Sequence, residues 1–236
     1  MKLIRHAAFA AAAIFLSSPA VAADEPFTQE EIASQFDIAF GAAVTSRYIS
    51  RGADQSDGVA LQAYVEPSYG IFYAGIWAST VDGALVGIDP NDDFEVDFYA
   101  GIRPEFGSLA LDLGYARYVY SSSGDDCRCG EFYAKATYTF TEQFSAGGEI
   151  YYDPEWETTY GVVNAAVVLP YDITLSAAYG EWLTSGDDRR DWNAGLSYTF
   201  DDTVTIDGRY HDSNFDHGRF VVTLSVDTSW SALRGK

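Results

Sequence analysis

After its first residues, the sequence contains no run that approaches the roughly 18 consecutive apolar residues of a membrane-spanning helix. It is also poor in basic residues, since 14 Lys and Arg face 35 Asp and Glu, giving a formal net charge of -21. Such a surface repels nucleic-acid phosphates, so we expect no nucleic-acid partner. The sequence lacks His-Glu-x-x-His, Gly-x-Ser-x-Gly and phosphate-loop motifs. We therefore predict no enzyme activity, no cofactor and no metal centre.

What the sequence does contain is strict alternation of apolar and polar residues. Between Asp191 and Phe200 every second residue is apolar, from Trp192 through Leu196 to Phe200 itself. Successive side chains of a β-strand point to opposite faces, so this stretch predicts a strand with one apolar and one polar face. An aromatic content of 16% and a hydrophobic content of 47% argue against disorder despite the charge.

The same alternation recurs about twelve times, and long acidic connections alternate with tight turns. Strands of about 10 residues, tilted by about 45°, span about 23 Å, close to the roughly 25 Å apolar band of an outer membrane. The pattern predicts an all-β fold, a transmembrane antiparallel up-and-down β-barrel of about 12 strands. The predicted strands are 36–45, 59–68, 71–79, 94–103, 109–120, 131–140, 144–152, 158–169, 173–182, 191–200, 204–211 and 219–227.

The chain divides into four predicted parts. Residues 1–23 resemble an export signal, with Lys2 and Arg5 before an apolar run and a small-residue cleavage site. Residues 24–35 form a periplasmic leader, 36–230 the barrel and 231–236 an overhang. We expect a location in the bacterial outer membrane with both termini periplasmic. The expected partners are outer-membrane lipid and lipopolysaccharide, the barrel-assembly machinery, and small solutes or cations.

Charged side chains on the predicted lumen face could line a water-filled bore, where acids outnumber bases and favour cations. The candidate pore-lining residues are Asp37, Arg47, Glu66, Glu95, Asp97, Arg103, Asp112, Lys135, Glu149, Asp207 and Arg209. Alternatively, these charges pair across the bore and plug it. The protein would then be structural, anchored to lipopolysaccharide through cations held by acidic loops such as the one containing Asp92 or Asp153.

Two smaller groups of residues allow alternative interpretations. Cys127 and Cys129, in a predicted outward loop, could form a disulfide or help to capture a metal, and an oxidising compartment favours the disulfide. His211 and Ser213 share one strand face, but sequence adjacency alone does not supply a catalytic geometry. We interpret them as ordinary strand and loop residues.

With the barrel predicted, the loop after the first strand can be compared with a known family. Residues 46–52 read Ser-Arg-Tyr-Ile-Ser-Arg-Gly, and a later Gly-Ile-Phe-Tyr-Ala-Gly-Ile-Trp-Ala-Ser follows at 70–79. This resembles the TorF-family porins, a proteobacterial group also called Gcw_chp, from about Phe36 to the C-terminus. Arg47 and Ser50 depart from the family pattern. The resemblance implies an outer-membrane channel, and the matching loop residues are Ser46, Tyr48, Arg51 and Gly52.

Overall fold

The computed structural model describes residues 35–87, 89–124, 129–200 and 202–234. The predicted export signal and nearly all of the predicted leader lie outside these residues. No helix in the described ranges is both long enough and apolar enough to cross a membrane.

The described residues form a series of β-strands with a few short helical turns. In chain order the elements are β1 (Phe36–Thr45), β2 (Ile49–Ser50), β3 (Ala53–Asp54), β4 (Ala60–Tyr69), β5 (Phe72–Thr80), α1 (Gly83–Val86), β6 (Phe94–Ile102), β7 (Glu105–Phe106), β8 (Leu109–Tyr120), β9 (Gly130–Thr139), β10 (Phe144–Asp153), β11 (Thr158–Val168), a 3₁₀ turn (Pro170–Asp172), β12 (Ile173–Trp182), β13 (Arg190–Phe200), β14 (Val204–Ser213), β15 (Arg219–Ser229) and α2 (Trp230–Leu233).

Among the described residues, twelve long antiparallel strands close into one barrel. Each long strand pairs with its neighbours along the chain, β6 pairs with β8, and β1 pairs with β15 to complete the ring. The predicted twelve-strand barrel is confirmed. Most strand ends agree with the sequence prediction within one residue. Strands β14 and β15 each run two residues further, because cross-strand pairing continues to Ser213 and Ser229.

The outer face of the barrel is apolar and the inner face is polar. Large side chains such as Phe98, Val163 and Phe220 are exposed on the outside, whereas their strand neighbours point inward. Strand β5, which is apolar on both faces, places Phe72 and Ile76 outward and buries Tyr73 and Trp77 inside. The alternation predicted from the sequence therefore has its apolar side facing outward.

The two ends of the barrel differ in their connections. At the turn end, where β1 begins and β15 ends, strands are joined tightly, and Gly70 adopts a left-handed φ of 57° between β4 and β5. At the loop end, the connections include residues 46–59 and 81–93. This asymmetry is typical of outer-membrane barrels, which have short turns on one side and longer loops on the other.

The assignment of apolar residues to the outer face predicts how the barrel responds to a charge placed on that face. In lipid, Leu224→Lys should lower the free energy of unfolding by about 2–4 kcal/mol, because Leu224 lies outward at mid-strand and a lysine there meets hydrocarbon. The matched control is Ser225→Lys, one residue further on the inward face, which should cost much less. Urea unfolding from liposomes measures both, and equal losses would contradict the assigned facing.

Candidate functional site

The first long connection, residues 46–59, folds into the barrel lumen, and we call it the inserted loop. Its short hairpin pairs β2 with β3 and reverses at Arg51 and Gly52, which have left-handed φ values of 46° and 75°. A Cβ on Gly52 would lie 2.6 Å from Cβ of Asp191 and 2.7 Å from Cβ of Ser213. The hairpin tip therefore needs glycine for its backbone conformation and for its close approach to the far wall.

Arg51 fastens the tip of the inserted loop to the opposite wall. Its guanidinium donates two hydrogen bonds to the Glu131 carboxylate, at 2.7 and 2.6 Å, and both side chains are almost fully buried. Tyr118 Oη donates a third hydrogen bond to Glu131 at 2.8 Å. Burial alone would lower the pKa of Arg51, but the Glu131 charge raises that pKa above its ordinary value, so the guanidinium stays protonated.

Three aromatic rings surround the same guanidinium. Its Cζ lies 4.7 Å from the centroid of Tyr151, 4.6 Å from Tyr160 and 5.4 Å from Trp182. A cation over the face of an aromatic ring is attracted by the ring's quadrupole, more strongly where water is excluded. Arg51 is thus held by an ion pair and by the rings of β10, β11 and β12.

The base of the inserted loop is held by its own contacts and by β15. Arg47 pairs with Asp54 at 2.8 Å and with exposed Asp57 at 3.3 Å, and Arg219 reaches Asp54 at 3.1 Å. Ser46 Oγ accepts a hydrogen bond from the Val222 backbone N–H at 3.0 Å. The structure therefore places Arg47, a predicted pore-lining residue, in the loop itself, where it fixes the shape of the loop.

Tyr48 connects the inserted loop to β5 and β6. Its hydroxyl donates to Glu95 Oε2 at 3.2 Å, and its ring meets Trp77 edge-on with the centroids 5.6 Å apart. Burial, with the nearby charges of Glu95 and Asp97, raises the pKa of Tyr48 well above its ordinary value. The phenol accordingly remains a neutral hydrogen-bond donor.

Side chains fill the loop-end half of the lumen. The inward aromatic residues are buried around the inserted loop: Trp77, Tyr118, Tyr120, Tyr133, Tyr151, Tyr160 and Trp182. Glu95 lies among them and accepts hydrogen bonds from Tyr48 and from Tyr120, the latter at 2.8 Å. In this conformation the bore is constricted at its loop end.

A belt of charges crosses the middle of the lumen. Arg103 donates to both oxygens of Glu66, at 2.5 and 3.0 Å, and lies 3.4 Å from Asp112. Lys135 lies against the rings of Tyr133 and Tyr151, 4.8 and 5.7 Å from their centroids. Glu149 accepts hydrogen bonds from Tyr151 and from Asn164. Most of these predicted pore-lining charges are paired or stacked.

The turn-end half of the lumen is more open. Arg209 bonds Asp207 at 3.0 Å, Asn193 at 2.8 Å and Ser176 at 2.8 Å, and inward residues of β14 and β15 are only partly buried. Asp37, at the barrel rim, accepts from the Ser231 backbone at 2.9 Å and from its hydroxyl at 2.6 Å. The lumen is therefore a vestibule at this end and a constriction at the other.

Inward side-chain size differs between the two sides of the barrel toward its turn end. Strands β4 to β9 send bulky groups inward, including Tyr64, Tyr73, Tyr99 and Arg103. At the turn end, strands β10 to β15 send mainly small residues inward, among them Ser145, Gly147, Ser176, Gly195, Ser197 and Ser225.

The acidic loop residues serve local structure. Asp92 accepts from the Ser122 and Ser123 backbone N–H groups, at 2.7 and 3.0 Å, and from the Ser123 hydroxyl at 2.8 Å. Burial raises the pKa of Asp92, but these hydrogen bonds lower it by more, so the pKa lies below its ordinary value. Asp153 similarly accepts from the Glu155 and Trp156 backbones. In the part of the chain that the structure describes, no group of three or more Asp, Glu, His or Cys side chains could hold a metal ion.

Two further sequence predictions concern residues at the loop end. Cys129 is buried and disulfide-bonded, but Cys127 lies outside the described residues, so their pairing stays a prediction. Ser213 donates to the Gly52 carbonyl at 3.2 Å and accepts from the Asp216 N–H at 2.9 Å. Its hydroxyl thus helps to seat the inserted loop.

The residues that seat Arg51 were not among the predicted site residues. Alternation placed Glu131 on the inward face of its strand, but nothing local to either residue indicated that it would meet Arg51, 80 positions earlier. The motif resemblance at residues 46–52 was the available signal, because it singled out the loop that carries Arg51.

Comparison with known proteins supports the fold. A family model described as "Bacterial protein of unknown function (Gcw_chp)" matches residues 29–232. A KdgM porin structure is 11% identical and covers 80% of this chain and 98% of its own, with a TM-score of 0.57, and a KdgM porin in complex with disordered oligogalacturonate gives the same values. A NanC porin structure is 12% identical, covering 81% and 98%, with a TM-score of 0.48. No curated protein matches the sequence. At 11% identity, the likeness to the KdgM porin shows the fold alone.

The Arg51 contacts predict an unequal response to two arginine substitutions in one loop. Arg51→Ala should destabilise the barrel by about 3–5 kcal/mol, because it leaves the buried Glu131 charge without its partner. Arg47→Ala, which removes partly exposed ion pairs, should cost about 0–1 kcal/mol. Urea unfolding of the refolded barrels measures both. A loss for Arg51→Ala no larger than for Arg47→Ala would show that the tip contact is weak.

Proposed function

The chain belongs to the Gcw_chp family of bacterial proteins, and we propose that it is an outer-membrane channel for passive diffusion of small solutes or ions. The observation that carries the proposal is a closed barrel with an apolar outer face and a polar lumen that opens into a vestibule at the turn end. Such a barrel can lie in lipid while keeping water inside. The TorF-family porin assignment, by motif resemblance, belongs to this proposal.

The orientation follows from the connections. In bacterial outer-membrane barrels the short turns face the periplasm. Because β1 begins and β15 ends at the turn end, we place both termini in the periplasm and the loop end outside the cell. Outer-membrane lipid and lipopolysaccharide would then contact the outward face, and the barrel-assembly machinery would insert the chain.

The inserted loop would set the permeability of this channel. It narrows the loop end, and its tip is held by Arg51 and its stem by Tyr48. A solute passing the constriction requires the loop to move aside or to leave a narrow path beside it. The loop would thus act as a constriction whose opening depends on a few buried polar contacts.

The lumen charges support a preference for cations. Among the inward residues described above, acids outnumber bases, and several acids lie at the constriction near Glu95. A bore lined by excess negative charge raises the local concentration of cations and lowers that of anions. We assign no enzymatic activity to this lumen.

The filled loop-end half favours a second candidate, a plugged structural barrel. In that case the buried contacts would be permanent, and acidic loops would bind lipopolysaccharide phosphates through bridging cations. The two candidates differ in whether ions cross the protein.

Conductance in planar bilayers distinguishes them. Wild-type protein should give current steps and a cation-selective reversal potential in a KCl gradient. The double variant Arg51→Gln/Glu131→Gln should raise single-channel conductance, because it loosens the loop tip without leaving a buried unpaired charge. Arg190→Gln, at the exposed start of β13 and outside the inserted loop, is the control and should conduct like wild type. Well-inserted protein that passes no current in any form would reject the channel and leave the structural barrel.

A further inference from the structure

Asp97 is the most poorly compensated buried charge in the described part of the chain. It lies on the inward face of β6, between Trp77 of β5 and Tyr118 of β8 in the strand register, and is 2% exposed. Neither of its carboxylate oxygens has a hydrogen-bond partner among the described residues. Buried polar atoms are nearly always paired, so this orphaned carboxylate needs an explanation.

The surroundings of Asp97 add negative charge. Glu95 and Glu131 are its acidic neighbours, and both are buried. Arg51 is engaged by Glu131 through two hydrogen bonds, which accounts for its positive charge. Among the described residues, Glu95 accepts hydrogen bonds from the neutral hydroxyls of Tyr48 and Tyr120. Within that part of the chain, no cation is paired with either the Glu95 or the Asp97 carboxylate.

The free-energy cost of this arrangement points to a missing positive charge. Removing an ion from water into a protein interior costs several kcal/mol unless an opposite charge compensates it. Lys135, the other buried cation named in the lumen, lies against Tyr133 and Tyr151 in the central belt. Neither Arg51 nor Lys135 therefore compensates the charge of Asp97.

We propose that Asp97 and Glu95 bind a hard metal cation at the constriction, with Ca²⁺ as the best match in charge. Two carboxylates neutralise one divalent ion, and Ca²⁺ accepts carboxylate, neutral oxygen and water ligands in a flexible geometry. Because no three acidic, His or Cys side chains in the described ranges are arranged as a metal centre, water supplies the remaining ligands. The site is independent of whether the lumen conducts.

Binding at this site acts on the inserted loop through one residue. Tyr48 of the loop donates its hydroxyl to Glu95, so an ion that fixes the Glu95 carboxylate also fixes the acceptor of that bond. The loop should therefore be held more firmly with the ion bound than without it. Removing the ion would loosen the constriction from the Tyr48 side while leaving the Arg51 contact in place.

The test uses the refolded full-length barrel in detergent, stripped with EDTA and titrated with CaCl₂. Thermal unfolding should show a midpoint that rises with Ca²⁺ and saturates, and equilibrium dialysis should show one bound ion. Asp97→Asn should abolish both responses. Asp207→Asn is the matched control, because Asp207 is also an inward acid but is already paired with Arg209, and it should retain both.

A Ca²⁺ response in Asp97→Asn equal to that of wild type would overturn the proposal, as would wild-type protein that binds no ion. Greater stability of Asp97→Asn than of wild type at every Ca²⁺ concentration would also overturn it, since it would show an isolated carboxyl group. If Asp97→Asn does not refold, Glu95→Gln takes its place in dialysis. None of these readouts uses conductance, so failure of the channel proposal leaves them interpretable.

Discussion

In a lipid-facing wall, every backbone amide and carbonyl must find a hydrogen-bond partner within the wall itself, and this one constraint determines the structure. Hydrocarbon offers no hydrogen bonds, so a sheet can stand in it only if its first and last strands meet. The pairing of β1 with β15 fulfils that condition. Once the ring is closed, each strand has one face toward lipid and one toward the lumen, and the sequence must alternate to suit both. The outward Phe, Val and Leu residues and the inward charged and hydroxyl residues are two results of one constraint.

Inside the ring, buried polar and charged side chains need partners, as they do in the interior of a water-soluble protein. At the loop end the lumen is filled with side chains, and a buried charge there is costly unless an opposite charge compensates it, as Arg51 and Glu131 do for each other. Toward the turn end the inward residues are partly exposed, and the network around Arg209 resembles a hydrated polar surface. The inserted loop separates these two environments. Its glycine tip and buried arginine explain why the segment with the family motif is also the one that shapes the lumen.

The barrel was predictable from sequence because its signal is local and repeated. Strand facing depends only on which of two neighbouring residues is apolar. Strand β5 is apolar on both faces, so the sequence left its facing open, and the structure has Phe72 and Ile76 outward. The inserted loop was not predictable in the same way. Its key contact joins Arg51 to Glu131, and the choice of partner depends on the diameter of the closed ring and on which strands face each other across it. Arg47 illustrates the limit, because position in the sequence placed it near the bore but its acidic partners lie in its own loop.

The uneven distribution of inward side-chain size makes the two sides of the bore unlike toward the turn end. Tyr64, Tyr73 and Arg103 extend inward from one side, and the other carries small residues such as Gly147, Ser176 and Gly195. A solute moving through this half would have hydroxyl and amide groups on one flank, with aromatic rings and fixed charges on the other. A molecule with a permanent dipole would be turned to one preferred orientation before it reached the narrow end. Rotational freedom, and not only diameter, would then limit which molecules fit.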